Sequence, residues 1–195
     1  FQSMPNPFKA PASHGSLFLL PQLVTTGSLL AAFLGILWAI DGQFARSAWA
    51  ILASAILDGL DGRVARLTGT SSEFGVQYDS LADLVAFGVT PALLMYFQAL
   101  DERGAIGLTA CFLFMACGAL RLARFNIQHN DVPSSHFVGL PIPAAGCILA
   151  LLTLFDHRVA DLTLVAPTLA TRFWNFLATP TTMLLLVALL AVLMV

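Results

Sequence analysis

"DGLDGRVARLTGTSSEFGVQYDSLAD", from Asp58 to Asp83, sets four aspartates into a chain that is otherwise mostly hydrocarbon. Asp58 and Asp61 are three residues apart, and Asp79 and Asp83 are four apart. Both spacings put the two carboxylates of a pair on one face of a helix. Gly69, Thr70, Ser71 and Ser72 lie between the pairs and suit a turn. The stretch therefore predicts two antiparallel helices that bring all four carboxylates together at one membrane face. Four unpaired carboxylates would repel one another and lose hydration. Two divalent cations would cancel their charge, and hard ions such as Mg²⁺ or Mn²⁺ prefer carboxylate oxygen. The stretch holds no His or Cys, which argues against zinc. A plainer alternative pairs the aspartates with Arg63 and Arg66 at the helix ends. Two arginines do not neutralise four aspartates.

The rest of the chain explains why this cluster stands out. Of 195 residues, 58% are hydrophobic and 10% charged, against about 25% charged in an ordinary soluble domain. Mean hydropathy is +0.84. The expectation is an all-α integral membrane protein, and ionisable residues inside membrane spans point to function. The net charge of −2 and the lack of a basic tail give no sign of nucleic-acid binding.

A crossing helix needs about 20 apolar residues. Six stretches qualify, near 17–40, 44–67, 73–99, 105–127, 137–155 and 179–195. They predict a bundle of about six transmembrane helices. "DGQ" at 41–43, "DERG" at 101–104 and "QHNDVPSSH" at 128–136 separate them. Residues 156–178 are mixed and read as an interfacial helix or loop around Trp174. Phe1-Gln2-Ser3 reads as an expression-tag remnant, 4–16 as an N-terminal cytoplasmic segment and 17–195 as the transmembrane catalytic domain. The last residues are apolar, so the native chain is expected to continue. With six crossings, Lys9, Arg63, Arg66, Arg121 and Arg124 share one side, and Arg46, Arg103, Arg158 and Arg172 the other. Five against four leans toward a cytoplasmic N-terminus. Cys111, Cys117 and Cys147 read as small apolar residues in the spans. His14, His129, His136 and His157 read as solvated loop residues.

Small residues surround the aspartates. Gly62, Ala65 and Gly75 would let a ligand approach the backbone, or would serve helix packing. Arg66 can offer two parallel hydrogen bonds to a phosphate.

The pattern Asp58-x2-Asp61-Gly62-x2-Ala65-Arg66-x8-Gly75-x3-Asp79-x3-Asp83 resembles the defining motif of the CDP-alcohol phosphotransferases at all eight fixed positions. The resemblance implies a six-helix membrane enzyme, often a homodimer, with its site facing the cytoplasm, here of an inner membrane. Such an enzyme moves a phosphoalcohol from a CDP-linked donor to an acceptor hydroxyl and releases CMP. It also implies that Asp58, Asp61, Asp79 and Asp83 hold two cations, with Asp83 as the base. Gly62, Ala65, Arg66 and Gly75, together with Thr25, would take the donor.

Three further stretches look like the membrane-bound, serine-accepting branch of that family: "LLPQLVTTGSLLAAFLGI" at 19–36, "GALRLARFNI" at 118–127 and "FVGLPIPAAG" at 137–146. They imply CDP-diacylglycerol as donor and L-serine as acceptor, both met at the lipid surface. Gln22 stands where the family usually has Asn. Arg121, Arg124 and Asn126 would meet the donor phosphate or the serine carboxylate; interfacial snorkelling is the alternative for the arginines. A phosphorylated acceptor such as glycerol 3-phosphate or inositol phosphate would call for more basic residues than the nine Lys and Arg present. A divalent-cation transporter would place its acids near the bilayer midplane, whereas these fall around a turn.

Overall fold

A computed structural model describes residues 15–68, 73–128, 139–165, 174 and 178–195. The expectations for residues 1–14, for His129 and His136, and for the 69–72 turn lie outside the described residues. Helix α1 is Gly15–Ile40 and α2 is Phe44–Thr68. The next helix, α3, starts as Glu73–Asp83 and continues through a wide turn at Leu84–Val89, a regular stretch at Thr90–Met95 and a second wide turn at Tyr96–Leu100. Then come α4 (Ala105–Gln128), α5 (Ile142–Val165) and α6 (Pro180–Met194).

Apart from α5, these helices fall where the spans were expected. Among the described residues, four stretches are long and apolar enough to cross a membrane: Gln22–Ile40, Phe74–Arg103, Ala105–Ile127 and Ile142–Asp161. Helix α2 has the length but carries Arg46, Asp58, Asp61, Arg63 and Arg66. Helix α6 is apolar over its 15 residues.

The predicted breaks at 41–43 and 101–104 are turns closed by glycine. Gly42, at φ 74, ends α1: its N–H bonds to Ala39 O and that of Gln43 to Trp38 O. This pair of bonds satisfies the last carbonyls of the helix and needs the left-handed residue that glycine supplies most cheaply. The fifth span needs correcting. It was expected at 137–155, but α5 starts at Ile142 and runs to Val165. Pro141 and Pro143 suit a helix start, because the missing N–H is spare in the first turn. Asp156, part-buried, and the exposed His157 and Arg158 lie within the helix without ending it. His157 is thus helical and not in a loop, with Nδ1 3.6 Å from Asp161.

Helix α3 runs through the middle of the bundle and touches all five others. In lipid, helices gain little from apolar contact as such, so close approach over small residues holds them together. A Cβ on Gly146 of α5 would sit 3.0 Å from the Phe87 backbone, and one on Gly35 of α1 would sit 3.0 Å from Thr90. Phe87, Leu94, Phe114, Ile142 and Leu149 fill the fully buried centre. The wide turn at Leu84–Val89 precedes Pro91, whose ring would clash with the carbonyl four residues back in a regular helix. The Thr90 hydroxyl fastens this irregular turn: it donates to Val85 O at 2.8 Å and lies 3.3 Å from Ala32 O of α1. Leu30, Phe33, Trp49, Leu108, Phe112 and Leu189 stay exposed on the outside, as suits a lipid-facing surface.

Candidate metal centre

Antiparallel α1, α2 and α3 bring the aspartates together. Asp58 and Asp61 come from the second half of α2, and Asp79 and Asp83 from the first half of α3. One carboxylate oxygen from each of Asp58, Asp61 and Asp79 lies within 4.8 Å of the others. Asp83, one turn beyond Asp79, lies within hydrogen-bonding reach of Asp58. The cluster thus consists of three converging carboxylates with a fourth beside them.

Few protein groups compensate this charge. Thr25 Oγ1 of α1 donates to Asp61 Oδ2 at 2.7 Å, and both residues are buried. Arg63, on the same helix as Asp61, is exposed. Asp79 Oδ1 is buried with no hydrogen-bond partner. A buried carboxylate oxygen left without a donor is costly, and it fits a place where a cation would sit. The donor set is all oxygen, which suits a hard divalent ion. These residues therefore fit a divalent metal site.

The other predicted residues divide into groups. A Cβ built on Gly62 meets nothing within 4 Å, so helix packing does not require glycine there. Gly75 is half-buried on α3. Ala65 and Arg66 lie on α2, and their side chains fall outside the described residues. Asn126 of α4 reaches α3: its Nδ2 donates to Gln77 Oε1 at 3.2 Å and to Ser80 Oγ at 3.1 Å. It therefore sits against the residue next to Asp79. Arg121 and Arg124 turn to the end of α6 and donate to Met194 O at 3.4 Å and Val195 O at 3.2 Å.

Two features escaped the sequence reading. Thr26 Oγ1 lies 3.0 Å from Tyr78 Oη and donates to Gln22 O at 2.6 Å. Ser28 and Ser54 clasp α1 to α2, each hydroxyl donating to the other's carbonyl, at 3.2 and 3.0 Å. The available signal was a polar stripe: Thr25 and Ser28 on α1, and Ser54, Asp58 and Asp61 on α2, all at helical spacing.

Comparison with known proteins points the same way. The family model described as CDP-alcohol phosphatidyltransferase matches residues 18–174. A CDP-diacylglycerol–serine O-phosphatidyltransferase of Helicobacter pylori is 49% identical over 142 residues, which is 73% of this chain and 60% of that protein. A protein of the same name from Bacillus subtilis is 36% identical over 134 residues, 69% of this chain and 75% of that one. The archaetidylserine synthase of Methanothermobacter thermautotrophicus is 39% identical over 137 residues, 69% of this chain and 58% of that protein. The chain thus spans 60% of the Helicobacter relative's length and 58% of the archaeal one's.

Proposed function

The chain belongs to the CDP-alcohol phosphatidyltransferase family, and on that premise we propose that it transfers the phosphatidyl group of CDP-diacylglycerol to the hydroxyl of L-serine, releasing CMP. The observation that carries the proposal is the convergence of Asp58, Asp61 and Asp79, with one Asp79 oxygen buried and unpartnered, at the positions of the family motif. Serine as acceptor rests on the relatives, whose names specify it in bacteria and in an archaeon alike.

In this reading Asp58, Asp61 and Asp79 hold two divalent cations, Mg²⁺ or Mn²⁺, and Asp83 completes the second site. When bound, the cations stabilise the pyrophosphate and the charge that develops on departing CMP. Gly62, Ala65 and Gly75 leave room for cytidine and its phosphates, and Arg66 binds a phosphate oxygen. Asp83 takes the proton of the serine hydroxyl. The serine oxygen forms a bond to the lipid-side phosphorus as the bond from that phosphorus to CMP breaks. Asn126, Arg121 and Arg124 are assigned to the acceptor side. Asn126 has the better support, through its bond to the neighbour of Asp79; the two arginines bond Met194 O and Val195 O.

The proposal places the enzyme as a homodimer in the inner membrane, with the carboxylates on the cytoplasmic side. That placement lets the lipid donor and product stay in the bilayer while serine and CMP exchange with water. The test is CMP release by the purified protein in mixed micelles of CDP-diacylglycerol with Mn²⁺, comparing L-serine, glycerol 3-phosphate and inositol phosphate. Release that needs both serine and metal is expected. Release with another acceptor only would overturn the serine assignment. No release with any acceptor, together with Mn²⁺ uptake into lipid vesicles, would favour a transporter.

A further inference from the structure

Helix α1 carries none of the motif aspartates, yet it grips both helices that do. Thr25 donates to Asp61 of α2, and Thr26 meets Tyr78 of α3, the residue before Asp79. Consecutive helical residues project about 100° apart, so adjacent threonines can address two neighbouring helices at one level. The protons can be assigned. A hydroxyl has one hydrogen, and Thr26 gives its own to Gln22 O. Tyr78 Oη is then the donor to Thr26 Oγ1. The Thr25 hydroxyl, pointed at a buried carboxylate, supplies a donor to Asp61 without bringing a competing cation into the cluster.

We propose that Thr25 and Thr26 form a positioning element for the metal centre. Thr25 orients the Asp61 carboxylate, and Thr26 sets the distance between the two aspartate pairs by holding Tyr78. This rests on the metal site of the proposed function but not on the identity of donor or acceptor. It reassigns Thr25, expected above to contact the donor, to a role exerted through Asp61. Hydrogen-bond partners of metal ligands fix ligand orientation, and their loss typically weakens metal binding by about 10–100-fold.

The experiment is a Mn²⁺ titration of the detergent-solubilised protein, followed by electron paramagnetic resonance, without lipid donor or serine. Thr25→Val keeps the shape and removes the donor; it is expected to raise the Mn²⁺ dissociation constant by about 10-fold or more. Thr25→Ser restores the donor and should return binding to near the wild-type value. Thr25→Ala serves as a second removal where valine is not tolerated. Tyr78→Phe is expected to give a smaller loss. Ser54→Ala opens the α1–α2 clasp without touching an aspartate, and should lower thermal stability while leaving Mn²⁺ affinity unchanged. Wild-type affinity in Thr25→Val and Thr25→Ala would overturn the proposal. So would an equal loss in Ser54→Ala, which would reduce the effect to helix packing, and so would a wild-type protein that binds no Mn²⁺. Mn²⁺ binding that responds to Thr25 in a protein that releases no CMP would remove the transferase reading and leave this one standing.

Discussion

The bundle uses aspartate in two opposite ways at its two ends. Near one end, Asp156 of α5 has both oxygens occupied: Gln98 Nε2 of α3 donates to one at 3.3 Å and Trp174 Nε1 to the other at 3.0 Å. Thr153 completes the network by donating to Gln98 Oε1 at 2.7 Å. Trp174 also packs edge-on against Phe155, with ring centres 4.5 Å apart. Near the other end, Asp58, Asp61, Asp79 and Asp83 crowd together, and an Asp79 oxygen is buried without a donor. A fully satisfied carboxylate serves as a pin between helices. A crowd of carboxylates with a buried oxygen short of a donor is a poor pin, because an unsatisfied buried acid costs more than it holds. The contrast sets an acid with satisfied hydrogen bonds apart from the acids proposed to hold metal.

The sharpest way to break this contrast is to neutralise one acid at each end. Asp83→Asn removes the proposed base, and serine-dependent CMP release should fall by about 10²–10⁴-fold. Donor binding should largely survive, measured by CDP-diacylglycerol protection against thermal unfolding. Retention of most of the turnover would remove Asp83 from the role of base. Asp156→Ala should do the reverse. It strands the Trp174 and Gln98 donors and should cost about 1–3 kcal/mol of stability, seen as a lower unfolding temperature in detergent. The metal requirement for CMP release should not change.

A smaller effect sharpens the comparison at Gly62. Alanine there meets no neighbour within 4 Å, so on helix propensity alone Gly62→Ala should stabilise α2 by about 1 kcal/mol. If the glycine leaves room for the donor, the same variant should raise KM for CDP-diacylglycerol while the protein becomes harder to melt. A stabilised variant with unchanged KM would give Gly62 no part in donor binding.

Much of this was legible in the sequence because it is local. The aspartate pairs lie three and four residues apart, so helical spacing alone put each pair on one face. Apolar runs located the six helices to within a few residues, except at α5. There the Pro141 and Pro143 boundary moved the start to Ile142, and the charged residues at 156–158 did not stop the helix. What the sequence hid is tertiary. Asn126 meets Ser80 across 46 residues, Thr25 meets Asp61 across 36, and Trp174 meets Asp156 across 18. No spacing rule links such positions. The same holds for Arg121 and Arg124. Their shared face was readable, but not that they turn to the carbonyls of α6.

The central claim is that the aspartate crowd exists to hold divalent metal. The most direct test compares Mn²⁺ binding by the wild type, Asp79→Asn and Asp156→Asn in detergent. The account predicts bound Mn²⁺ in the wild type, a large loss in Asp79→Asn and wild-type affinity in Asp156→Asn. Undiminished binding in Asp79→Asn, or an equal loss in Asp156→Asn, would contradict it.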